Sequence, residues 1–294
     1  MSMQIHHTTS YFYSEPVSFG THRLMLRPIE NHDLRIVESS LVIRPEPRVR
    51  WLCDVFGNTV TLADFSEPSC HLVIESRVLV EIRTGNPFEF LLAPHALRYP
   101  FQYDIEEQPD LAPFLGMAHP EDGCALRSWV QPFLDLGGGA QTIDFLLAIN
   151  RSIPRFFSYE RREEFGVQPP SQTLHLRRGS CRDFAWLFVE TARCCGFAAR
   201  FVSGYLKNTS EADPDQKACG ATHAWAQVYL PGAGWRDFDP TCGMMGGSNH
   251  VRTAVGRIPS QAVPVSGSFT GLASAFNRME VSVSVFDAEH IKIS

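Results

Sequence analysis

The stretch Leu174–Leu206, LHLRRGSCRDFAWLFVETARCCGFAARFVSGYL, decides the fold. Its apolar residues Phe184, Leu187, Phe188, Ala192 and Cys195 recur at spacings of three and four. This predicts an amphipathic helix that begins at Cys181 and is stopped by Gly196 just past its last turn. FAARFVSGYL then reads as a strand. Cys181 stands at the first turn of the helix, after a Gly-Ser pair and among charged and small residues, whereas a cysteine kept for packing more usually sits inside such a run. A thiol in that position faces unsatisfied backbone N–H groups and the positive end of the helix macrodipole, both of which favour thiolate. The same N–H groups are potential donors to an oxyanion once the sulfur has attacked a carbonyl, and Arg177 and Arg178 add positive field.

A cysteine nucleophile needs a base, and the base needs an orienting group. Downstream, THAWAQVYL reads as a strand, PGAG as a turn and WRDFDP as the returning strand. His223, Trp225, Gln227 and Tyr229 share the more polar face of the first strand, and Asp237 and Asp239 share a face of the second. With Leu230 opposite Gly234 across a three-residue loop, Asp239 comes opposite Trp225 and diagonal to His223, whereas Asp237 comes opposite Gln227. Diagonal neighbours lie roughly 7–8 Å apart; Asp237 would lie about 14 Å along the strand from His223. Asp239 is therefore the better orienting acid, and Pro240, which cannot donate to a ladder, suits a strand that ends there. Taken singly, Cys181 also reads as a small packing residue and His223 as a strand histidine satisfied by a neighbour. Asp183, two residues after the thiol, reads as a residue that favours the dipole or braces the loop rather than as the base.

The pieces GSCRDFA, GFAARFVSGYL and HAWAQVYLPGAGWRDFDPT resemble the bacterial transglutaminase-like family, a branch of the papain-like cysteine-enzyme fold. Its motifs are a G-x-C-x-D-F-A helix start, an H-A-W strand and a D-P-T acid. The resemblance implies Cys181 as nucleophile, His223 as base and Asp239 as third member. IHHTTSYFYSEPV, HRLMLRP and DVFGNTV are similar to the β-rich domain that precedes this core in many bacterial members. The family often has an apolar residue where Ser180 stands, Gln at Arg182, His at Trp186, and a G-R-D-Y stretch where this chain has GRIPSQ, Gly256–Gln261. These departures touch substrate-side contacts more than the triad. The family resemblance implies acyl transfer at a peptide, isopeptide or side-chain amide through a thioester, with hydrolysis first and protein-glutamine transamidation, or a non-catalytic binding or scaffold module, as the alternatives. The implied partner is a peptide or protein substrate.

The expected fold class is α+β. Residues 1–84 form an all-β, sandwich-like domain read from short strands such as RIVESSLVIR and from a hairpin turn at Gly57-Asn58. Residues 85–140 are a proline-rich connection with a short helix around Cys124–Leu136 and a triple glycine, Gly137–Gly139. Residues 141–294 form the core, in which the catalytic helix packs on an antiparallel sheet and which takes in the last strand, RMEVSVSVF. A helix over Thr142–Ser152 is ended or kinked by Pro154, and KNTSEADPDQKACG reads as a polar loop.

At 294 residues and 44% hydrophobic content the chain can bury a substantial core. Its formal net charge of −6, with basic residues scattered, argues against nucleic acid as a partner. No leader-like n-region and no membrane-length apolar window stands in the sequence, so it reads as cytoplasmic, with no membrane partner. The eight cysteines show no framework spacing and read as free thiols. Cys194, Cys195, Cys219, Cys242 and His223 lack C-x-x-C spacing, and adjacent cysteines on a helix point to different faces, so neither a metal nor another cofactor is expected.

Overall fold

Period-two burial along Ser2–Phe19, with Met3, Ile5, His7 and Thr9 turned inward, builds the long strand β1 from which the N-terminal domain grows. The structure is a computed structural model that describes residues 1–83, 86–134, 140–162, 164–207 and 222–288. β2 (His22–Leu24), β3 (Leu34–Arg44), β4 (Arg48–Cys53), β5 (Thr59–Asp64) and β6 (Ser69–Ile82) follow. β1 pairs antiparallel with β6, which pairs with β3, while β2, β5 and β4 form a second sheet. Tyr13, Val17 and Phe19 from one sheet meet Leu24 and Ala63 from the other, giving the expected sandwich. Between β4 and β5, Asp54 Oδ1 accepts the backbone N–H groups of Phe56 and Asn58, and Gly57 takes a φ of 80°. Asn58 is buried and exchanges hydrogen bonds with Val255, so this hairpin tip is tied to the other half of the molecule.

The connection carries α1 (Gln108–Leu115) and α2 (Gly123–Leu134), and the triple glycine lies outside the described residues. α3 (Thr142–Phe156) runs two residues past Pro154 instead of ending there; the proline has no N–H to give the carbonyl four residues back, and Phe157 N–H still reaches Ile153 O at 2.9 Å. Then come β7 (Ser158–Tyr159), α4 (Pro170–Leu176), β8 (Arg178–Gly179) and α5 (Cys181–Cys194). β9 (Ala199–Leu206), β10 (His223–Leu230), β11 (Gly234–Asp239), β12 (Met244–Met245) and β13 (His250–Gly256) complete an antiparallel sheet in the order β12-β11-β10-β9-β13. Phe184, Leu187 and Phe188 of α5 pack with Phe201, Ala226, Val228 and Phe238 of that sheet in one core. The stretch read as a polar loop between β9 and β10 falls almost wholly outside the described residues.

α5 is the amphipathic helix that the spacing predicts, and its polar side is covered as well: every residue from Asp183 to Arg193 is buried. Its polar positions face the connection, where Glu190 accepts N–H bonds from Ala118 and His119, and Arg193 donates to Glu190 and to the carbonyls of Phe114, Ala199 and Arg257. The charge was legible; that a second layer would cover it was not. One expectation is corrected: the last strand leaves the core to which the sequence reading assigned it. β14 (Val265–Ser266) pairs with β2, β15 (Phe269–Thr270) with β1, and β16 (Phe276–Asp287) runs along β1 from Tyr13↔Phe276 to Met3↔Asp287. Alternation marks a strand with one buried face; it does not say which free edge the strand will join. No helix among the described residues is long and apolar enough to cross a membrane.

Candidate active site

Cys181 opens α5, and the preceding Ser180 takes an extended backbone (φ −89°, ψ 175°) as N-cap. Asp183 braces this end twice over. Its Oδ2 accepts the Ser180 N–H and hydroxyl, both at 2.8 Å, and its Oδ1 accepts Arg162 at 2.6 Å and the Gln168 N–H at 2.8 Å. Arg182 donates to the carbonyls of Arg162 and Glu164. The loop between β7 and α4 is thereby clamped to the start of the helix, and Cys181 keeps partial access to solvent. At the far end Gly196 adopts a φ of 84° and Phe197 N–H returns to Ala192 O, the left-handed stop expected of that glycine.

β10 and β11 pair in the expected register, with Leu230↔Gly234 and Gln227↔Asp237. The two aspartates consequently do different things. Asp237 accepts the Trp225 indole N–H at 2.7 Å and Arg252 at 3.1 Å. Asp239, fully buried, has its Oδ2 at 2.8 Å from His223 Nε2. On the other side of the buried ring, His223 Nδ1 lacks a well-aligned hydrogen bond, and the Cys181 sulfur is a neighbour whose hydrogen bond and charge favour the protonated imidazole. The three residues singled out in the sequence are thus brought together. Burial by itself would push the His223 imidazole down; the charge and hydrogen bond of Asp239, helped by Cys181, override it and carry the ring up to about 10. Burial would likewise raise Asp239, but the His223 charge and the hydrogen bonds of His223 and His250 hold it well below the usual carboxylate range. At the far end of α5, burial pushes the Cys195 thiol up to about 12.

Two neighbours were not singled out in the sequence. Tyr159 reaches Cys181 because β7 pairs in parallel with β8, setting Tyr159 beside Gly179 two residues before the thiol. Burial, and then the charge and hydrogen bond of Cys181, push its phenol upward, so it remains a donor. His250 is the second: its Nε2 lies 3.0 Å from the same Asp239 Oδ2. His250 follows a chain reversal and pairs with Leu206 two strands away from β11, so no local pattern reveals this contact. Gln172, weighed as a side-chain oxyanion donor, sits exposed on α4. The ring nitrogens and carboxylate of His223, Asp239 and His250 lie within 4.8 Å of one another, close enough to converge on one cation. His250 Nε2 faces a carboxylate oxygen, which can only accept, and Gly247 N–H lies 3.4 Å from His250 Nδ1.

Residues 3–81 match the bacterial transglutaminase-like N-terminal region and residues 135–240 match the transglutaminase-like superfamily. An uncharacterized protein of Mycobacterium tuberculosis is 28% identical over 302 residues, 97% of this chain and 93% of the relative. One of Mycobacterium leprae is 24% identical over 270 residues, 92% of this chain and 93% of the relative. The crystal structure of a proposed cysteine protease from Cytophaga hutchinsonii superposes with a TM-score of 0.72 at 20% identity, covering 99% of this chain and 92% of the other. The chain thus carries a transglutaminase-like core region preceded by the bacterial transglutaminase-like N-terminal region.

Proposed function

We propose that the protein is a cysteine-dependent acyl-transfer enzyme with a Cys181–His223–Asp239 triad, acting on an amide of a peptide or protein by hydrolysis. The observation that carries this reading is the fully buried His223–Asp239 pair beside a partly exposed thiol at a helix N-terminus. The Cys181 thiolate attacks the carbonyl carbon. The oxyanion develops near the first-turn N–H groups of α5, with the Tyr159 hydroxyl a further donor beside the sulfur. His223, protonated through Nδ1, gives its proton to the leaving amine as the C–N bond breaks and a thioester remains. Water, deprotonated by the now neutral ring, then attacks the thioester and restores the thiol. Asp239 holds the proton on Nε2 throughout and stabilises the imidazolium.

An amine in place of that water would give transamidation by the same acyl-enzyme. The test is a panel of peptides, isopeptides and γ-glutamyl amides, incubated with and without a primary amine and read by mass. Hydrolysed product in both conditions supports the reading, and amine-bearing product replaces hydrolysis with transfer. Failure of every substrate, together with a Cys181 that iodoacetamide labels no faster than an ordinary thiol, would leave the fold as a binding module.

A further inference from the structure

Asp239 is shared. Its Oδ2 takes two ring nitrogens, His223 Nε2 at 2.8 Å and His250 Nε2 at 3.0 Å, while Oδ1 takes the Thr241 N–H at 2.9 Å. The His250 side chain is only 7% exposed, and its ring stands edge-on to Trp225 at 5.1 Å and 6.2 Å from the His223 ring. The direction of its hydrogen bond is set by the carboxylate, which can only accept, so the ring donates through Nε2; Gly247 N–H, 3.4 Å from Nδ1, is placed to match that tautomer. A residue kept only to fill this space beside Trp225 would need no such polarity.

We propose that His250 is a fourth member of the site, a positioning residue that shares the Asp239 carboxylate with His223 and thereby limits how tightly the His223 ring holds its proton. Each N–H donor on a carboxylate oxygen takes up part of its charge, and what remains sets the pull on the imidazolium. His223 must release its proton to a leaving amine and recover one from water, so a carboxylate that held the imidazolium too firmly would make it a weak acid. The titratable and charged groups near the pair include Cys181 from α5, Asp239, Asp237 of β11 with its partner Arg252 of β13 and, on the turn after β11, Cys242, whose Sγ lies 3.7 Å from Asp239 O. Among these described groups only His250 adds a second imidazole donor to the carboxylate. The inference rests on His223 being the proton-transferring group.

The experiment is ¹⁵N NMR of the histidine rings in the full-length protein, its His250→Phe variant, which keeps a ring against Trp225 but has no donor, and its His250→Gln variant, whose amide can donate. In the unsubstituted protein His250 should show the Nε2–H tautomer. In His250→Phe the His223 titration should move up by about half a pH unit or more, and in His250→Gln it should lie nearer the starting value. An Nδ1–H tautomer of His250, or a His223 titration unmoved in both variants, overturns the proposal. Should His250→Phe not fold, the tautomer and the His223 titration of His250→Leu, which also lacks a donor and should move up likewise, decide. Iodoacetamide labelling of Cys181 in the same samples separates this from the function: an unreactive thiol with a shifted His223 titration would remove the enzyme and leave the shared carboxylate standing.

Discussion

Two histidines are buried to the same degree in this molecule, one in each half, and their partners drive them in opposite directions. His7 on β1 is 1% exposed and His223 on β10 is 1% exposed. His7 meets neutral hydroxyls, Tyr205 at 3.0 Å and Thr9 at 2.8 Å; burial, with a smaller contribution from His6, lowers it to about 4. His223 meets a carboxylate and a thiol and rises to about 10. The desolvation penalty on the charged form is common to both, so the sign is decided by whether the neighbour carries charge. One ring is a fixed neutral strut between the N-terminal sheet and β9; the other is held ready as a cation beside the thiol.

The comparison is broken most severely at the thiol. Replacing Cys181 by Ala should abolish turnover, by about 10⁴-fold or more, while the fold survives, because the residue is partly exposed at the edge of the core and α5 buries Phe184, Leu187 and Phe188 there without it. Retained turnover on a substrate identified in the mass-spectrometric screen would sink the mechanism. Next, Asp239→Asn should cost about 10³–10⁴ in kcat with KM little changed, since an amide can hold the wrong tautomer of His223. Asp237→Asn should instead loosen the Trp225 and Arg252 contacts and lower Tm without comparable loss of kcat. A reversal of that order in matched kinetics and melts would show that the wrong aspartate has been assigned.

His7→Gln tests the other half of the contrast. The folded state binds no proton at His7 between its ordinary value of 6.5 and about 4, whereas the unfolded chain does. The stability tied to a neutral His7 is therefore complete above pH 6.5 and is lost as pH falls toward about 4, on the order of 3 kcal/mol. Urea melts across that window should be steep in the unsubstituted protein and flatter in the variant. His223 acts with the opposite sign. Its raised value contributes stability that is complete below pH 6.5 and disappears as pH rises toward about 10, and Asp239→Asn should flatten that alkaline side. The smallest effect is expected from Tyr205→Phe, which removes one hydroxyl from His7 and should cost about 1 kcal/mol with no change in Cys181 reactivity. A Cys181 labelling rate altered by Tyr205→Phe would mean that the two histidine sites are coupled, and the contrast drawn between them would need revision.

Much of the site was legible because its deciding contacts are local or set by a short loop. Ser180, Cys181 and Gly196 mark a helix start and stop that depend on a few neighbouring residues, and the three-residue turn after Leu230 fixes which aspartate comes beside His223. The burial of Glu190 and Arg193 was not legible, because an alternating polar pattern on a helix says where charge points and nothing of what covers it.

The sequence by itself determined the periodicities, the caps, the hairpin register and, through them, the meeting of Cys181, His223 and Asp239. Only the tertiary structure decided that β16 closes the N-terminal sheet, that His7 leans on Tyr205 across 198 residues, and that His250 reaches Asp239 from beyond a chain reversal. The physical reason is one of range. Backbone hydrogen bonding and side-chain alternation are read within a few residues, whereas the choice of partner for a free strand edge or a buried polar atom is made by whichever distant surface desolvates it with the best compensating bond.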